Sequence, residues 1–327
     1  MELLLNKIRA VTDSDRKALP TFSYSKMDVF KTCALQYHKK YNEKKYTKDT
    51  SIALELGGLC HYILEQKGKM LASLSKVDYN KLEEITKSGN AEKDEKTKDM
   101  LLGVEKLRKK YFDIWYEPDN ASGKTYEEKM TVFDQVLHTE MEDDEWEPIA
   151  FEQHFEFVWD NKVIIQGFID RIDCKDGEYR TVDYKTSKKI YDQSKLATSL
   201  QFGIYALAIL LNYGKLPKES MYRFILINEK QYALTKGWEK RLIKAMDKIF
   251  DEIESNEKTG IWKPKPSPLC HWCFACTHNP DAHEFKDDCE YYSLWTPENK
   301  SFAVNKEFNE TEQNSAKLQN NTRKLIF

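Results

Sequence analysis

The segment from Val163 to Lys185 restricts the fold of this 327-residue chain more than any other stretch. Residues Val163 to Cys174 are rich in β-branched side chains, Asp176-Gly177 is a strong turn signal, and residues Glu178 to Tyr184 resume the alternation of apolar and polar residues. An Asp-Gly pair between two such runs is typical of a two-residue hairpin turn. The sequence therefore predicts a β-hairpin here.

This hairpin carries charged side chains among apolar ones. Asp183 and Lys185 are two residues apart, so their side chains leave the same face of the second strand about 7 Å apart. Asp170 lies on the first strand. Charges within apolar strands cost several kcal/mol of desolvation unless something compensates them, and a divalent cation is one such compensation. The spacing leaves open a second interpretation, a surface hairpin whose charges face water.

Helical patterns precede the hairpin. Residues 21–25 offer N-cap side chains before a segment in which aromatic residues and Cys33 recur at helical spacing. The opposite face of this helix carries several lysines, Lys26 among them. That basic surface either follows a phosphate backbone or simply faces water.

A second helix is predicted over about residues 52–74. His61 and Glu65 are four residues apart and therefore share one face of it. Taken alone, this pattern is more typical of a capped or core histidine with a surface glutamate. Gly57 and Gly58 would allow the helix to approach a sheet closely.

Two helices and a strand are predicted after the hairpin. A helix over residues 191–214 places Gln201 and Tyr205 on one face, and a strand over 222–228 and a helix over 237–255 follow. The order helix, three strands, helix, strand predicts an α/β fold. A strand–helix–strand crossover implies a parallel pair within a mixed sheet.

Composition excludes several classes of protein. Apolar residues make up 40% of the chain, which is enough for a core in one large domain or two small ones. With 51 Lys+Arg against 54 Asp+Glu the net charge is −3, so any contact with nucleic acid must come from a local basic surface. The longest apolar stretch, residues 202–211, is too short to cross a bilayer. We expect a soluble, cytoplasmic protein without a membrane partner.

Four of the seven cysteines are clustered near the C-terminus, at Cys270, Cys273, Cys276 and Cys289. Two cysteines separated by two residues can place both sulfurs on one metal, and tightly grouped cysteines are rarely neutral packing residues. The cluster therefore predicts a metal site. Zinc bound by these cysteines, alone or with a nearby histidine, is one interpretation.

Together these motifs resemble a known active site. The run G-F-I-D-R-I-D around Asp170 and the triplet D-Y-K from Asp183 to Lys185 are similar to the site of RecB-type PD-(D/E)XK nucleases, although Val182 replaces the usual proline. That group includes the nuclease domains of RecB and AddB, the CRISPR adaptation nucleases and many phage exonucleases. The Ser25–Tyr37 segment, the G-x-x-x-H-x-x-x-E helix and the Q-x-x-x-Y helix add accessory matches.

The resemblance implies a fold and a division of the chain. The fold would be a PD-(D/E)XK restriction-endonuclease-like α/β core, a mixed central sheet flanked by helices, with an N-terminal helical subdomain and a C-terminal Cys-rich segment. The expected segments are a helical region at 1–120, an acidic connector at 121–150, the nuclease core at 151–262, the Cys-rich segment at 263–295 and a flexible tail at 296–327.

The resemblance also implies roles for individual residues. The catalytic set would be Asp170, Asp183 and Lys185. The ligands of Mg²⁺ or Mn²⁺ would be His61, Asp170, Asp183 and the backbone carbonyl of Tyr184. The residues that support the site or position DNA would be Gln201, Tyr205 and Glu65.

One subgroup of the family holds a [4Fe–4S] cluster with one N-terminal and three C-terminal cysteines. Carried over to this chain, the ligands would be Cys33, Cys270, Cys273 and Cys289, with Cys276 as an alternative ligand. The spacing departs from the subgroup's pattern, which leaves the fourth ligand open. Zinc stays the alternative to iron and sulfur.

The implied function is a divalent-metal-dependent DNA nuclease, expected to be an exonuclease in recombination, repair or phage DNA processing. Its substrate would be single-stranded DNA or DNA with free ends, and the C-terminal tail would offer a docking segment for a recombination or replication protein. A phage-encoded protein of this kind would act in the cytoplasm of a bacterial host. The alternative is a nucleic-acid-binding or recombination-partner module with a structural metal cluster and little or no catalysis.

Overall fold

The computed structural model describes residues 2–45, 52–73, 136, 146–187, 189–233, 236–275 and 289. The peripheral helices expected between residues 79 and 116, most of the acidic connector, Cys276 and the tail at 296–327 lie outside these residues. The chain forms two compact units: unit 1 comprises Met1–Thr21 and Ser51–Leu242, and unit 2 comprises Phe22–Thr50 and Ile243–Phe327. The segment boundaries expected from the sequence follow the chain linearly and stay a prediction.

The elements are as follows. The helices are α1 Glu2–Leu5, α2 Asp13–Ala18, α3 Tyr24–Thr32, α4 Ala34–Tyr37, α5 Ile52–Ser73, α6 Gln193–Ala197, α7 Leu200–Tyr213 and α8 Trp238–Thr259. A π-helical turn spans His38–Asn42, and 3₁₀ turns span Ile225–Ile227 and Pro268–Trp272. The strands are β1 Ile8–Arg9, β2 Thr21–Phe22, β3 Glu147–Trp159, β4 Val163–Lys175, β5 Glu178–Lys185, β6 Glu219–Phe224 and β7 Glu229–Tyr232.

Unit 1 is built on a mixed sheet. The seven-stranded sheet has the order β1-β3-β4-β5-β6-β7, and β2 pairs with β4 off this path. Along the path the neighbours are antiparallel except β5 and β6, which are parallel. A parallel pair needs a crossover connection, and α6 and α7 supply it. The predicted α/β fold, with helices flanking a mixed sheet, is confirmed.

Strands β4 and β5 form the hairpin that the sequence predicts. Lys175 lies opposite Glu178, and the two residues between them, Asp176 and Gly177, have φ values of 52° and 75°. Two successive positive φ values are the requirement of a type I′ turn, and glycine meets it without steric cost at Cβ. The Asp-Gly pair therefore fixes the register of the hairpin.

Two elements differ from the sequence-based expectation. The helix predicted over residues 191–214 is divided into α6 and α7, because Ser199 caps the second helix: its Oγ accepts a hydrogen bond from the Phe202 N–H at 3.3 Å. The strand predicted over 222–228 begins at Glu219 and ends at Phe224, after which the chain turns through a 3₁₀ segment to Asn228, with φ 55°.

Helix α7 is a core helix of unit 1. All residues from Leu200 to Leu210 are buried. The combined segment Gln193–Tyr213 is long and apolar enough to cross a membrane by composition, but 61% of its most apolar window is buried inside the fold. Packing within unit 1 accounts for its apolar character.

Aromatic side chains organise unit 2. Ser23 caps α3 by accepting the Lys26 N–H at 3.2 Å, and the rings of Tyr37 and Trp262 stack with centroids 5.7 Å apart. The Lys26 ammonium lies 4.2 Å from the centroid of the Phe22 ring, and burial lowers the pKa of Lys26. Lys26 therefore packs against this aromatic cluster instead of belonging to a solvated basic face.

Candidate metal centre

Three side chains from three elements of unit 1 converge on one point. His61 comes from α5, Glu152 from β3 and Asp170 from β4, and one ligand atom of each lies within 4.8 Å of the other two. His61 Nδ1 is 3.3 Å from Asp170 Oδ2 and 3.7 Å from Glu152 Oε1. Two carboxylates and an imidazole nitrogen form a donor set for a divalent cation.

The pairing of β3 with β4 brings the two carboxylates together. Phe151 lies opposite Arg171, and Gln153 lies opposite Ile169, so Glu152 is placed across from Asp170. Glu152 has a φ of 45°, which is rare for a residue with a side chain. Positive φ at a non-glycine residue is a local strain that persists where the surroundings hold it.

Helix α5 reaches the sheet at Gly68. A Cβ atom at Gly68 would lie 2.1 Å from the ring of Phe151, the neighbour of Glu152. At Gly57 the nearest atom, of Thr186, would be 3.8 Å away, and at Gly58 nothing would lie within 4 Å. The close approach of helix and sheet is therefore at Gly68, not at the glycines before His61 as expected.

The backbone of Tyr184 links His61 to Asp170. His61 Nε2 is 3.1 Å from the Tyr184 carbonyl oxygen, and the Tyr184 N–H donates to Asp170 Oδ2 at 2.7 Å. With Nε2–H donating to the carbonyl, the neutral imidazole would leave Nδ1 facing the carboxylates and able to bind a metal. Burial lowers the pKa of His61, but the charges of Asp170 and Glu152 outweigh it and raise the pKa to about 10.

Asp183 is held at the same site by a buried hydrogen-bond network. Its side chain is 2% exposed. Oδ1 accepts hydrogen bonds from Gln201 Nε2 at 2.6 Å and from the Tyr205 hydroxyl at 3.2 Å. Burial and the charge of Asp170 raise the pKa of Asp183 to about 6, although Lys185 opposes this shift. An extra positive charge at the site would therefore favour ionised Asp183.

Lys185 lies between polar and aromatic neighbours. Its ammonium is 2.5 Å from Asp183 Oδ2 and 3.4 Å from Gln201 Oε1, and it lies 5.2 Å from the centroid of the Tyr222 ring. Burial lowers the pKa of Lys185, but Asp183 outweighs burial, so the pKa is raised. Lys185 is thus a permanent cation in this site.

Glu152 and Tyr222 were missed from the sequence. Glu152 lies across from Asp170, and this can be recognised only when the register of β3 with β4 is known. Glu156, four residues further along β3, forms an ion pair with Arg16 instead. Tyr222 lies opposite Asp183 in the parallel pair of β5 with β6, and its hydroxyl is 3.4 Å from Gln201 Oε1.

The structure brings together most of the residues that the sequence proposed for the site. His61, Asp170, Asp183, Tyr184, Lys185, Gln201 and Tyr205 are joined by the contacts described above. Glu65, one turn from His61, forms an ion pair with Lys69. Roles of single residues in metal binding and in DNA positioning stay predictions.

The opposite face of the hairpin carries a second charged cluster. Asp173 receives bidentate hydrogen bonds from Arg171 at 2.7 and 2.8 Å, and two more from Arg180 at 2.9 and 2.6 Å. Arg171 also donates to the Tyr184 hydroxyl at 3.2 Å. All three charged side chains are at most 3% exposed. Hydrogen bonds therefore hold Tyr184 at its backbone, through His61 and Asp170, and at its hydroxyl, through Arg171.

Four cysteines line one cavity in unit 2: Cys33, Cys270, Cys273 and Cys289. The Lys265 N–H donates to Cys33 Sγ at 3.3 Å, and the Ser267 N–H donates to Cys270 Sγ at 3.3 Å. Burial raises the pKa of the Cys273 thiol to about 12. A buried thiol of this kind is a poor free nucleophile, and a bound metal would supply the charge that its thiolate needs.

Comparison with known proteins identifies the family. Residues 21–276 match the family model of the PD-(D/E)XK nuclease superfamily. The chain therefore belongs to this superfamily, which implies a metal-dependent nuclease.

Two phage proteins are similar to part of the chain. The Gene 69 protein of Mycobacterium phage D29 is 31% identical over 128 residues, which are 38% of this chain and 45% of the relative. The Gene 69 protein of Mycobacterium phage L5 is 30% identical over 119 residues, which are 33% of this chain and 37% of the relative. The chain thus spans less than half the length of these relatives.

Proposed function

We propose that this protein hydrolyses phosphodiester bonds in DNA with Mg²⁺ or Mn²⁺, as an exonuclease in phage DNA processing inside a bacterial host. The observation that carries the proposal is the convergence of His61, Glu152 and Asp170 beside the Asp183–Lys185 pair. The family supports metal-dependent cleavage, and the phage relatives support the biological setting.

The donor set fits a hard divalent cation. Glu152 and Asp170 offer oxygen ligands and His61 offers one nitrogen, a mixture that suits Mn²⁺ and Mg²⁺ better than soft metals. Burial and the charge of Asp170 raise the pKa of Asp183, and the nearby carboxylates raise the pKa of His61, so the site collects negative charge that a cation would compensate. When bound, the metal would polarise the scissile phosphate and lower the pKa of an attacking water.

The protein side chains would supply orientation and charge. Lys185, kept protonated by Asp183, would donate to the phosphate oxygens and stabilise the charge that develops in the transition state. It would not serve as the base, because it stays protonated at neutral pH. Gln201 and Tyr205 donate hydrogen bonds to Asp183, and we propose that they also position the DNA strand.

Free DNA ends are the proposed point of attack. End-labelled linear DNA and closed circular DNA of the same sequence, incubated with Mg²⁺, Mn²⁺ or EDTA, test this directly. We expect cleavage of linear DNA from its ends, no cleavage in EDTA, and persistence of the circle. Equal cleavage of circle and linear DNA would contradict exonuclease action while leaving the nuclease itself in place.

Paired variants on strand β3 test the site. Glu152→Gln should reduce the cleavage rate at least tenfold, because it removes a carboxylate that would bind the metal or hold a residue that binds it. Glu156→Gln changes the same residue type on the same strand, but its partner is Arg16, so cleavage should stay at the wild-type rate. Lys185→Ala and Asp183→Ala should abolish cleavage. Wild-type rates for Glu152→Gln and Asp183→Ala together would overturn the assigned site.

We also propose that Cys33, Cys270, Cys273 and Cys289 hold a [4Fe–4S] cluster. The cavity that they line and the N–H groups that donate to two of the sulfurs support a bound metal centre. A zinc ion with the same ligands, or with Cys276, is the alternative. The role would be structural, because the four cysteines lie in unit 2 and the proposed catalytic residues lie in unit 1.

A further inference from the structure

An exposed pair of aromatic rings lies on the β3–β4 ribbon of unit 1. Phe168 is 53% exposed, and His154 is exposed as well. The two residues lie directly opposite each other in the antiparallel register. Their ring centroids are 5.1 Å apart and the ring planes meet at 60°, so the rings do not stack face to face on each other.

The fold itself does not bury this pair. The core at this point uses the residues on either side of Phe168: Ile169 is fully buried, and a Cβ at Gly167 would lie 2.9 Å from the ring of buried Phe155. Single exposed apolar residues are common on protein surfaces and need no explanation. What distinguishes Phe168 is its aromatic partner and its position.

The position is one step along the ribbon from the two site carboxylates. Phe168 precedes Asp170 by two residues, and His154 follows Glu152 by two residues. Side chains two residues apart on a strand leave the same face about 7 Å apart. Phe168 therefore lies beside Asp170 on the same face of β4, about as far from the site as one nucleotide is from the next in an extended strand.

We propose that Phe168 and His154 form a stacking platform for the base of the nucleotide next to the scissile phosphate. The proposal rests on the proposed nuclease function and defines its substrate class: DNA whose bases are unpaired at the site. A base within a duplex has both faces covered by its neighbours, so only a single strand or a frayed end can offer a face to Phe168. Stacking of this kind tolerates any base, because every base has a π-face.

Equilibrium binding tests the platform without requiring cleavage. A fluorescent single-stranded 12-mer and the duplex of the same sequence are titrated with protein in Ca²⁺, and binding is followed by anisotropy. Phe168→Leu should weaken binding of the single strand about tenfold, a typical loss for one stacked base, and Phe168→Trp should restore it. Duplex binding should not change. Tyr232→Leu, which removes another exposed aromatic ring three strands away on β7, should leave both affinities at the wild-type value.

An abasic scan of the single strand adds a readout that a merely structural role of Phe168 would not move. At one position, loss of the base should weaken DNA binding by the wild type about tenfold. The same loss should not weaken DNA binding by Phe168→Leu any further. Unchanged affinity of Phe168→Leu, equal losses for single strand and duplex, or additive losses at every abasic position would each overturn the platform. If wild-type protein cleaves DNA with Mn²⁺ but shows any of these results, the nuclease function stands. If it binds as expected but cleaves nothing, stacking of an unpaired base on Phe168 stands as a binding property and the nuclease function fails.

Discussion

Two aspartates of the same hairpin have opposite electrostatic environments. Asp173 accepts four hydrogen bonds from two guanidinium groups, whereas Asp183 pairs with Lys185 and its burial and the charge of Asp170 outweigh the cations Lys185 and His61. Burial without sufficient positive charge raises the pKa of a carboxyl group. The ionised Asp173 side chain is thus stabilised by its hydrogen bonds. The ionised Asp183 side chain destabilises the metal-free fold.

Asparagine substitutions at these two positions should change stability in opposite directions. The pKa of Asp183, about 6, lies above that of an unfolded aspartate, about 3.9. The folded state therefore binds this proton more tightly, and its stability falls as the pH rises from about 4 to about 6. Metal-free Asp183→Asn should consequently unfold at a higher temperature than the wild type at pH 8, and at the same temperature at pH 4. Thermal unfolding in EDTA at both pH values measures this.

Asp173→Asn is the matched variant. It leaves Arg171 and Arg180 buried without their carboxylate, which costs about 3–5 kcal/mol in comparable buried pairs, and the loss should be present at pH 6 and pH 8 alike. If Asp183→Asn destabilises the protein as much as Asp173→Asn does, the raised pKa of Asp183 is wrong.

His61 should release a proton when metal binds. Without metal its pKa is about 10, so the imidazole is protonated at pH 8, and a metal can take Nδ1 only after that proton leaves. Calorimetric titration with Mn²⁺ in two buffers of different ionisation enthalpy should show release of about one proton per site for the wild type. His61→Gln should bind Mn²⁺ more weakly, by about 10- to 100-fold as for other disturbed metal sites, and release less. Identical Mn²⁺ affinity and proton release in both proteins would show that His61 does not bind the metal and is a core histidine.

At the scale of elements, the position of α5 on the sheet decides where His61 lies. The helix touches β3 at Gly68, seven residues after His61, and contacts the strand next to Glu152. The close contact at Gly68 therefore couples the positions of His61 and Glu152, the two proposed ligands on α5 and β3. A change in the distance between helix and strand moves His61 relative to Glu152.

Alanine at Gly68 should disturb both stability and metal binding. Its Cβ would lie 2.1 Å from the Phe151 ring, and overpacking of this kind costs about 1–3 kcal/mol. Gly58→Ala is the control in the same helix: its Cβ meets nothing within 4 Å, so the helix propensity of alanine should make it neutral or stabilising by up to about 1 kcal/mol. Denaturant unfolding and Mn²⁺ titration measure the two effects. If Gly68→Ala is destabilised but binds Mn²⁺ with wild-type affinity, the contact at Gly68 does not control the metal site.

At the scale of the whole molecule, unit 2 is assembled from two stretches of chain that are far apart in sequence, Phe22–Thr50 and Ile243–Phe327. Cys33 belongs to the first stretch, and Cys270, Cys273 and Cys289 belong to the second. Within the described residues of the unit, the Cys33 thiol already accepts the Lys265 N–H across this division. A metal bound to all four cysteines would close most of the chain into one loop.

Cys33→Ser should therefore reveal the nature of this centre. With a [4Fe–4S] cluster, anaerobically purified protein should be brown and absorb near roughly 400 nm, Cys33→Ser should lose the colour, and unfolding should become easier by a few kcal/mol, as for other long-loop cross-links. Absorbance, iron and zinc content, and denaturant unfolding are the measurements. Colourless protein that keeps about one zinc per chain in Cys33→Ser would establish a local zinc site instead.

Elements with strong local signals were predictable from the sequence. The Asp176-Gly177 turn fixed the hairpin, because only a few residue pairs satisfy two positive φ values. The helix of His61, predicted over about 52–74, spans Ile52–Ser73, and Gln201 and Tyr205 share the predicted face of α7. Each of these depends on residues close together in the chain.

Contacts that depend on register or packing were decided only by the tertiary structure. Glu152 joins the site because β3 pairs with β4 in one particular register, and a slip of one residue would turn its side chain to the other face. Tyr222 reaches Lys185 through a parallel pairing that needs a crossover helix. The sequence thus determined the types and the order of the elements, since these follow from local propensity and periodicity. The distances between elements, which set the neighbours and the pKa values of His61 and Asp183, exist only once the chain has folded.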